Sequence, residues 1–256
     1  MSRFFFHPEP QIGESILLSP EETHHLTVQR IPLSGEILIS NGKGEVYRGI
    51  FQGKDRGQAS VLVVEKVKEE APPLAFCVWQ SFLKSPTRME WLVEKLTEIG
   101  VAEIGFFPAE RSIKESLSEE KMKRLERIAL SACKQSGRTW FPVIRVCRSW
   151  EEFLSSLATS AKGTVLLANP LGKNLFVFLQ EGGIRYPLSL IVGPEGDLTE
   201  REKQELYARG AYLVSLGKSI LRSETAAIFG AAILSAFLEA HHASQYQNAW
   251  VQGKSS

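Results

Sequence analysis

The chain has 256 residues, 43% of them apolar, enough for one large or two modest domains with buried cores. Lys and Arg (30) nearly balance Asp and Glu (29), so the net charge is only +1 and no global basic field exists to gather a nucleic acid. Any such partner must be held by local patches, and residues 1–72 carry a slight excess of negative charge.

Short apolar runs at Arg3–Phe6, Ser15–Leu18, Glu36–Ser40, Glu45–Phe51 and Ser60–Val67 predict a β-rich N-terminal segment. Asn41-Gly42 and Lys54-Asp55-Arg56-Gly57 supply the turn chemistry between them. Pro20 to Arg30 is the one helix expected here, and a compact barrel would close the sheet's edges. Met1 to Pro10 lacks the ordered charged leader, apolar core and cleavage site of a secretory signal. Ala71-Pro72-Pro73 breaks regular structure and predicts a boundary, with a first domain over residues 1–72.

From Leu74 the rhythm alternates. Strands are predicted at Leu74–Phe82, Val101–Pro108, Val143–Val146, Thr164–Ala168, Leu188–Val192 and Tyr212–Leu216. Helices are predicted at Glu90–Ile99, Ser118–Gln135, after Ser149 and Thr199, and at Thr225–Ala240. Ser149 with Glu152, and Thr199 with Glu202, have capping-box spacing. Strand and helix in turn imply a largely parallel sheet covered on both faces, an α/β domain over residues 73–243, with a polar tail at 244–256. The most apolar run, residues 225–238, is interrupted by Ser235 and is read as too short for a membrane span.

Familiar sites are excluded by motif. The sequence has no Walker-type phosphate loop, no Gly-x-Gly-x-x-Gly after a strand and no Gly-x-Ser-x-Gly elbow. Cys77, Cys133 and Cys147 are too scattered for a metal set or a disulfide framework and read as core residues. His24 and His25 are adjacent on a helix and cannot face one ion, so one is assigned to the core and the other to the surface or an RNA-facing position. No metal is expected.

Two strand ends remain. Leu188–Val192 runs into Gly193-Pro194-Glu195-Gly196-Asp197, and Tyr212–Leu216 into Gly217-Lys218-Ser219-Ile220-Leu221-Arg222-Ser223-Glu224-Thr225. Ligands of open α/β sheets bind beyond the carboxyl ends of strands. Glycines 193, 196 and 217 let backbone approach a ligand, and Ile220 and Leu221 offer walls for a flat ring. Singly, such loops are ordinary turns; paired, and leading into a helix of small residues, they point to a cofactor pocket.

These loops, with Glu94-Lys95-Leu96-Thr97-Glu98-Ile99-Gly100-Val101, Glu110-Arg111-Ser112, Gln135-Ser136-Gly137-Arg138, Pro142, and His24-His25-Leu26 with Arg30, resemble the SPOUT methyltransferases. More narrowly they resemble the RsmE family, which methylates N3 of a uridine in 16S ribosomal RNA, and the resemblance runs from about Arg3 to Ala240. It implies a PUA-like, RNA-binding β-barrel, an α/β domain with a deep trefoil knot, a homodimer, and a cytoplasmic enzyme acting on the small ribosomal subunit. It also implies S-adenosylmethionine as cofactor, held by Gly193, Glu195, Gly196, Leu216, Gly217, Ile220 and Leu221, with Leu167 and Asn169 at another strand end. Asp197 stands where the family has a second Gly, and Ser219 where it has Arg, for which Lys218 is the nearest substitute.

Methylating N3 of uracil requires the base to lose its N3 proton, so a guanidinium near its oxygens would favour the anion. Arg222 is assigned that role, against the alternative of an ion pair with Glu224 or a neighbouring carboxylate. Glu195 is read either as a proton acceptor or as a ligand of cofactor and backbone polar groups. Arg3, Arg30, Arg111, Lys134 and Arg138 are the expected RNA contacts, and Arg88 an RNA contact or a solvated surface residue. Two other readings remain: methylation of tRNA or a ribose 2′-oxygen, and an RNA-binding protein without catalysis.

Overall fold

The computed structural model describes residues 4–70, 76–112, 117–159 and 163–252, with the side chains of residues 158–159 and 242–252 outside the description. Arg3 therefore lies outside the described residues. The chain divides into two compact units, Met1–Pro73 with Leu130–Phe141, and Leu74–Ala129 with Pro142–Ser256.

The first unit is built on β1 (Phe4–Phe6), β2 (Ser15–Leu17), α1 (Pro20–Val28), β3 (Glu36–Ser40), β4 (Glu45–Asp55) and β5 (Gln58–Glu69). They form a five-stranded sheet in the order β1-β3-β4-β5-β2. Between β3 and β4, Gly42 and Gly44 take φ of 71° and 92° while the Asn41 side-chain oxygen accepts from the N–H groups of Lys43 and Glu45. Arg56 (φ 49°) and Gly57 (φ 85°) make the two-residue turn between β4 and β5, both in the left-handed region that matches strand twist. The expected closed barrel is not formed among the described residues. β1 and β2 stand at opposite ends of the sheet, and among the described residues no pairing joins them.

Inside this unit Phe5, Leu18, Leu26, Ile37, Ile39, Val61 and Val63 are buried. Ser19 caps α1, and Glu22 turns inward to accept from the Phe6 N–H and from Lys134 Nζ at 2.6 Å. His24 is exposed and the His25 ring lies against Phe5, the division expected for the pair. Burial and the nearby Lys134 charge push His25 below the ordinary imidazole range.

The second unit contains β6 (Phe76–Ser81), α2 (Pro86–Ile99), β7 (Glu103–Phe107), the first part of α3 (Glu119–Ser136), β8 (Val143–Val146), α4 (Trp150–Thr159), β9 (Thr164–Asn174), α5 (Leu175–Gln180), β10 (Leu188–Val192), α6 (Glu200–Tyr207), β11 (Tyr212–Ser215) and α7 (Ser223–Gln252). Its six strands are all parallel, in the order β11-β9-β10-β6-β7-β8. Alternate residues face opposite cores. Val78, Leu188 and Leu190 pack with α2, α5 and α7, while Trp79, Leu167 and Ile191 pack with α4 and α6. Burial on both faces explains why these strands read as continuous apolar runs.

Several boundaries move. α2 begins at Pro86, whose fixed φ and missing N–H suit a first helical turn. Thr199 and Glu202 form the reciprocal capping box on α6. At α4 only half is made, because Glu152 takes the Arg148 N–H. β9 continues through Pro170 to Asn174, and α5 follows it directly. The last helix starts at Ser223 and passes its predicted end to reach Gln252. Its stretch Ser223–His241 is long and apolar enough to cross a membrane, correcting the sequence reading. In this fold Ala227, Ala231, Leu234 and Leu238 bury that stretch against the sheet.

Candidate functional site

β9 lies between β10 and β11, and the loops beyond β10 and β11 line, with the middle of β9, a cavity of about 460 Å³. That volume lies within the range of small-molecule sites. Ala168, Asn169 and Pro170 come from β9, Val192 from the end of β10, Gly193 to Glu195 and Asp197 from the loop after it, Leu216, Gly217 and Ser219 to Arg222 from the loop after β11, and Ser223 and Ala226 from α7.

The β9 wall depends on an interruption of its ladder. Tyr212 and Leu213 pair with Leu166 and Leu167, then Val214 and Ser215 pair with Lys173 and Asn174, so residues 168–172 bow out of register. Gly172 allows this: a Cβ there would sit 2.5 Å from the Val214 nitrogen. The bow carries Asn169, whose side-chain oxygen accepts from the Leu171 N–H. Leu171 and Ile220 are each 90% exposed.

The β10 loop is tied to α7 through a polar strand end. Gln80 and Ser81 close the otherwise apolar β6, and both are fully buried. Gln80 Nε2 donates to Ser223 Oγ at 2.6 Å, and Ser223 Oγ donates to the Gly193 carbonyl at 2.6 Å. Buried polar side chains are costly unless bonded, so this chain fixes the Gly193 backbone on the first turn of α7. Asp197 has φ 60°, the conformation for which a glycine is the common choice. Its carboxylate accepts from the Leu198 N–H at 2.8 Å, pairs with Lys203 Nζ at 2.8 Å and accepts from Asn169 Nδ2 at 3.4 Å. The bonds to Asp197 and Glu200 hold Lys203 above the ordinary lysine range.

Charges around the cavity are arranged by a residue of α2. Arg88 reaches Glu195 Oε1 at 3.6 Å and Glu224 Oε1 at 3.5 Å. Glu195 lines the cavity and is partly exposed, while Glu224 is 4% exposed in the first turn of α7. Arg222 lines the cavity, is exposed and has no ion pair among the described residues. Its expected alternative partner, Glu224, is therefore bound to Arg88.

Of the residues assigned to the cofactor, Asn169, Gly193, Glu195, Leu216, Gly217, Ile220 and Leu221 are brought together around the cavity. Leu167 instead is a core residue, 2% exposed. Gly196 is outside the lining, and its carbonyl accepts from Arg111 Nη1 at 3.0 Å. Of the RNA candidates, Arg30 is exposed at φ 52°, Arg138 is half-buried just after Gly137, and Arg111 is exposed. Lys134 is committed to the buried Glu22. Sequence reasoning passed over Gln80, Ser223 and the two-carboxylate role of Arg88. Only Gln80 had a visible signal, an amide in an apolar strand. Burial pushes the Cys77 and Cys133 thiols up to about 12, which keeps them protonated, and no cluster of metal-ligating residues occurs among the described residues.

A parallel sheet in which glycine loops after two strands flank a third strand around one cavity defines a ligand-binding α/β domain, and comparison with known proteins gives its class. The chain belongs to the family described as the RNA methyltransferase domain, whose model matches residues 70–235. Within it, the chain is similar to ribosomal RNA small subunit methyltransferase E, the RsmE group. The Aquifex aeolicus protein of that name is 29% identical over 91% of this chain and 99% of its own length. A crystal structure of the Neisseria gonorrhoeae protein of that name, bound to S-adenosyl methionine, has a TM-score of 0.78 at 28% identity, covering 92% of this chain and 98% of that one. The crystal structure of a probable rRNA-methyltransferase from Porphyromonas gingivalis has a TM-score of 0.81 at 29% identity, covering 93% and 99%.

Proposed function

We propose that this chain is an S-adenosylmethionine-dependent methyltransferase that methylates N3 of a specific uridine in 16S ribosomal RNA, acting on the assembled small subunit. The observation that carries the reading is the cavity shared by the bowed middle of β9 and the loops after β10 and β11. The relatives named above support its substrate and cofactor.

The residues present fit that cofactor. Val192, Leu216, Ile220 and Leu221 give apolar surface for a purine, and Gly193 and Gly217 let backbone groups approach it. Glu195 and Asp197 put carboxylates at a cavity that would receive an ammonium and a sulfonium. When bound, the cofactor supplies an activated methyl group and its own leaving group.

The remaining task of the chain is to orient the base and favour loss of its N3 proton. Arg222 acts as the cation that stabilises charge developing on the uracil oxygens. Glu195, already engaged with Arg88, acts as a polar ligand of the cofactor more readily than as a proton acceptor. Holding N3 in line with the methyl group contributes through positioning.

In the same reading residues 1–72 are a PUA-like RNA-binding module, residues 73–243 are an α/β domain with a deep trefoil knot, residues 244–256 are a polar tail, and the enzyme is a cytoplasmic homodimer. Exposed Leu171, Ile220 and Phe229 support a second copy covering this end of the molecule. Arg30, Arg111 and Arg138, with Arg3, are its RNA contacts.

Mass-spectrometric mapping of rRNA from cells with and without the protein tests this directly. The expected result is one N3-methyluridine in 16S rRNA that disappears with the protein. An unchanged 16S map, or a methyl group lost from tRNA instead, overturns the assignment.

A further inference from the structure

The cavity holds a cation, Arg222, among carboxylates that would be expected to neutralise it. Glu195 lines the same cavity, and Glu224 lies two positions along the chain. Glu224 is almost wholly buried, its Oε2 has no hydrogen-bond partner among the described residues, and a buried carboxylate draws strongly on any nearby cation. Yet both carboxylates are engaged from outside the cavity, by the single guanidinium of Arg88 on α2, at 3.6 and 3.5 Å.

We propose that Arg88 is a positioning residue that occupies Glu195 and Glu224 together and so keeps the Arg222 guanidinium unpaired in the cavity. An arginine suits this task because its planar fork presents several donors in fixed directions, so one side chain serves two acceptors on different loops. The arrangement also ties the β10 loop to the first turn of α7 by charge, beside the Gln80–Ser223–Gly193 hydrogen-bond chain that ties them by neutral groups. Without Arg88 the one compensating cation lining the cavity among the described residues is Arg222. Pairing would draw it away from a substrate oxygen. The consequence for turnover rests on the methyl-transfer reading; the ion-pair exchange does not.

The test measures the reactivity of Arg222 toward phenylglyoxal in the cofactor-free protein, by peptide mass spectrometry, because an ion-paired guanidinium reacts more slowly than a free one. In Arg88→Met, Arg222 is expected to react roughly threefold more slowly than in the wild type, a population shift within reach of a partly exposed ion pair. In Arg88→Met/Glu195→Gln/Glu224→Gln the wild-type rate is expected to return, since no carboxylate remains to capture it. Equal rates in wild type and Arg88→Met overturn the proposal, as does a slowing that the two glutamines fail to reverse. If Arg88→Met does not fold, Arg88→Gln leaves Glu224 a neutral donor and is judged by the same comparisons. If these rates follow the expected pattern while the wild type transfers no methyl group to rRNA, the function assignment fails and the role of Arg88 stands.

Discussion

Asp197 and Arg222 show how much one side chain decides at this site. Asp197 keeps a glycine's backbone, φ 60°, and adds a carboxylate bonded to Lys203 and Asn169. Asp visits the left-handed region at modest cost, whereas a β-branched residue does not. Asp197→Gly should therefore change stability by less than about 1 kcal/mol, since it removes a half-exposed ion pair and adds chain entropy. Asp197→Val should cost about 1–3 kcal/mol through backbone strain. Urea denaturation separates the two, and equal losses would mean that the ion pair outweighs the backbone. At Arg222 the expected effect is on rate. Arg222→Ala should lower kcat by about a hundredfold, the scale of losing one charge-stabilising donor, with cofactor affinity by calorimetry changed less than threefold. A parallel loss of affinity would make Arg222 a cofactor ligand instead.

Among the elements, β9 has the greatest consequence for the cavity. Its bow carries Asn169, and Gly172 lies against the backbone of β11 with no space for a methyl group. Backbone cannot yield as a flexible side chain does, so Gly172→Ala should destabilise the protein by about 1–3 kcal/mol, as overpacking does. It should weaken cofactor binding further than its fall in Tm explains. Gly183→Ala is the control for glycine replacement, because Gly183 meets nothing within 4 Å, although its φ of 78° adds local strain. If both variants bind cofactor alike, the bow is not what shapes the site. None of this was legible in the sequence. The strand is predicted only over Thr164–Ala168, because the pairing that extends β9 comes from Val214 and Ser215, remote in sequence. α5, six residues of Leu-Phe-Val-Phe-Leu-Gln, is too short and too uniformly apolar to show a helical period. By contrast β10 was read at its observed bounds, and the Thr199–Glu202 box was visible because it is local. The glycine loops were legible as a pair for the same reason. Arg88 was not, because its two partners meet only after the parallel sheet is assembled.

For the whole molecule, the near-zero net charge bears most directly on how RNA is held. A protein of charge +1 cannot gather RNA through a long-range field, so affinity must come from a few local cations and from shape. Arg30, Arg111 and Arg138 are the described residues proposed above for that role. Each neutralised phosphate adds about 0.7–0.9 to the slope of log affinity against log salt. With three such contacts the slope for small subunits should be about 2–3, and each of Arg30→Ala, Arg111→Ala and Arg138→Ala should reduce it by about 0.7–0.9. Lys134→Ala should behave differently. It leaves Glu22, 1% exposed, without its cation, so several kcal/mol of stability are at risk while the salt slope stays unchanged. A reduced slope in a folded Lys134→Ala protein would return that residue to the RNA surface. The same reasoning sets the substrate. With few phosphate contacts, discrimination must rest on a preformed surface, so small subunits lacking the methyl group should be better acceptors than deproteinised 16S rRNA by about tenfold or more in kcat/KM, a difference of ~1.4 kcal/mol. Comparable rates on both would show that local sequence alone suffices and that the protein reads RNA without the shape of the particle.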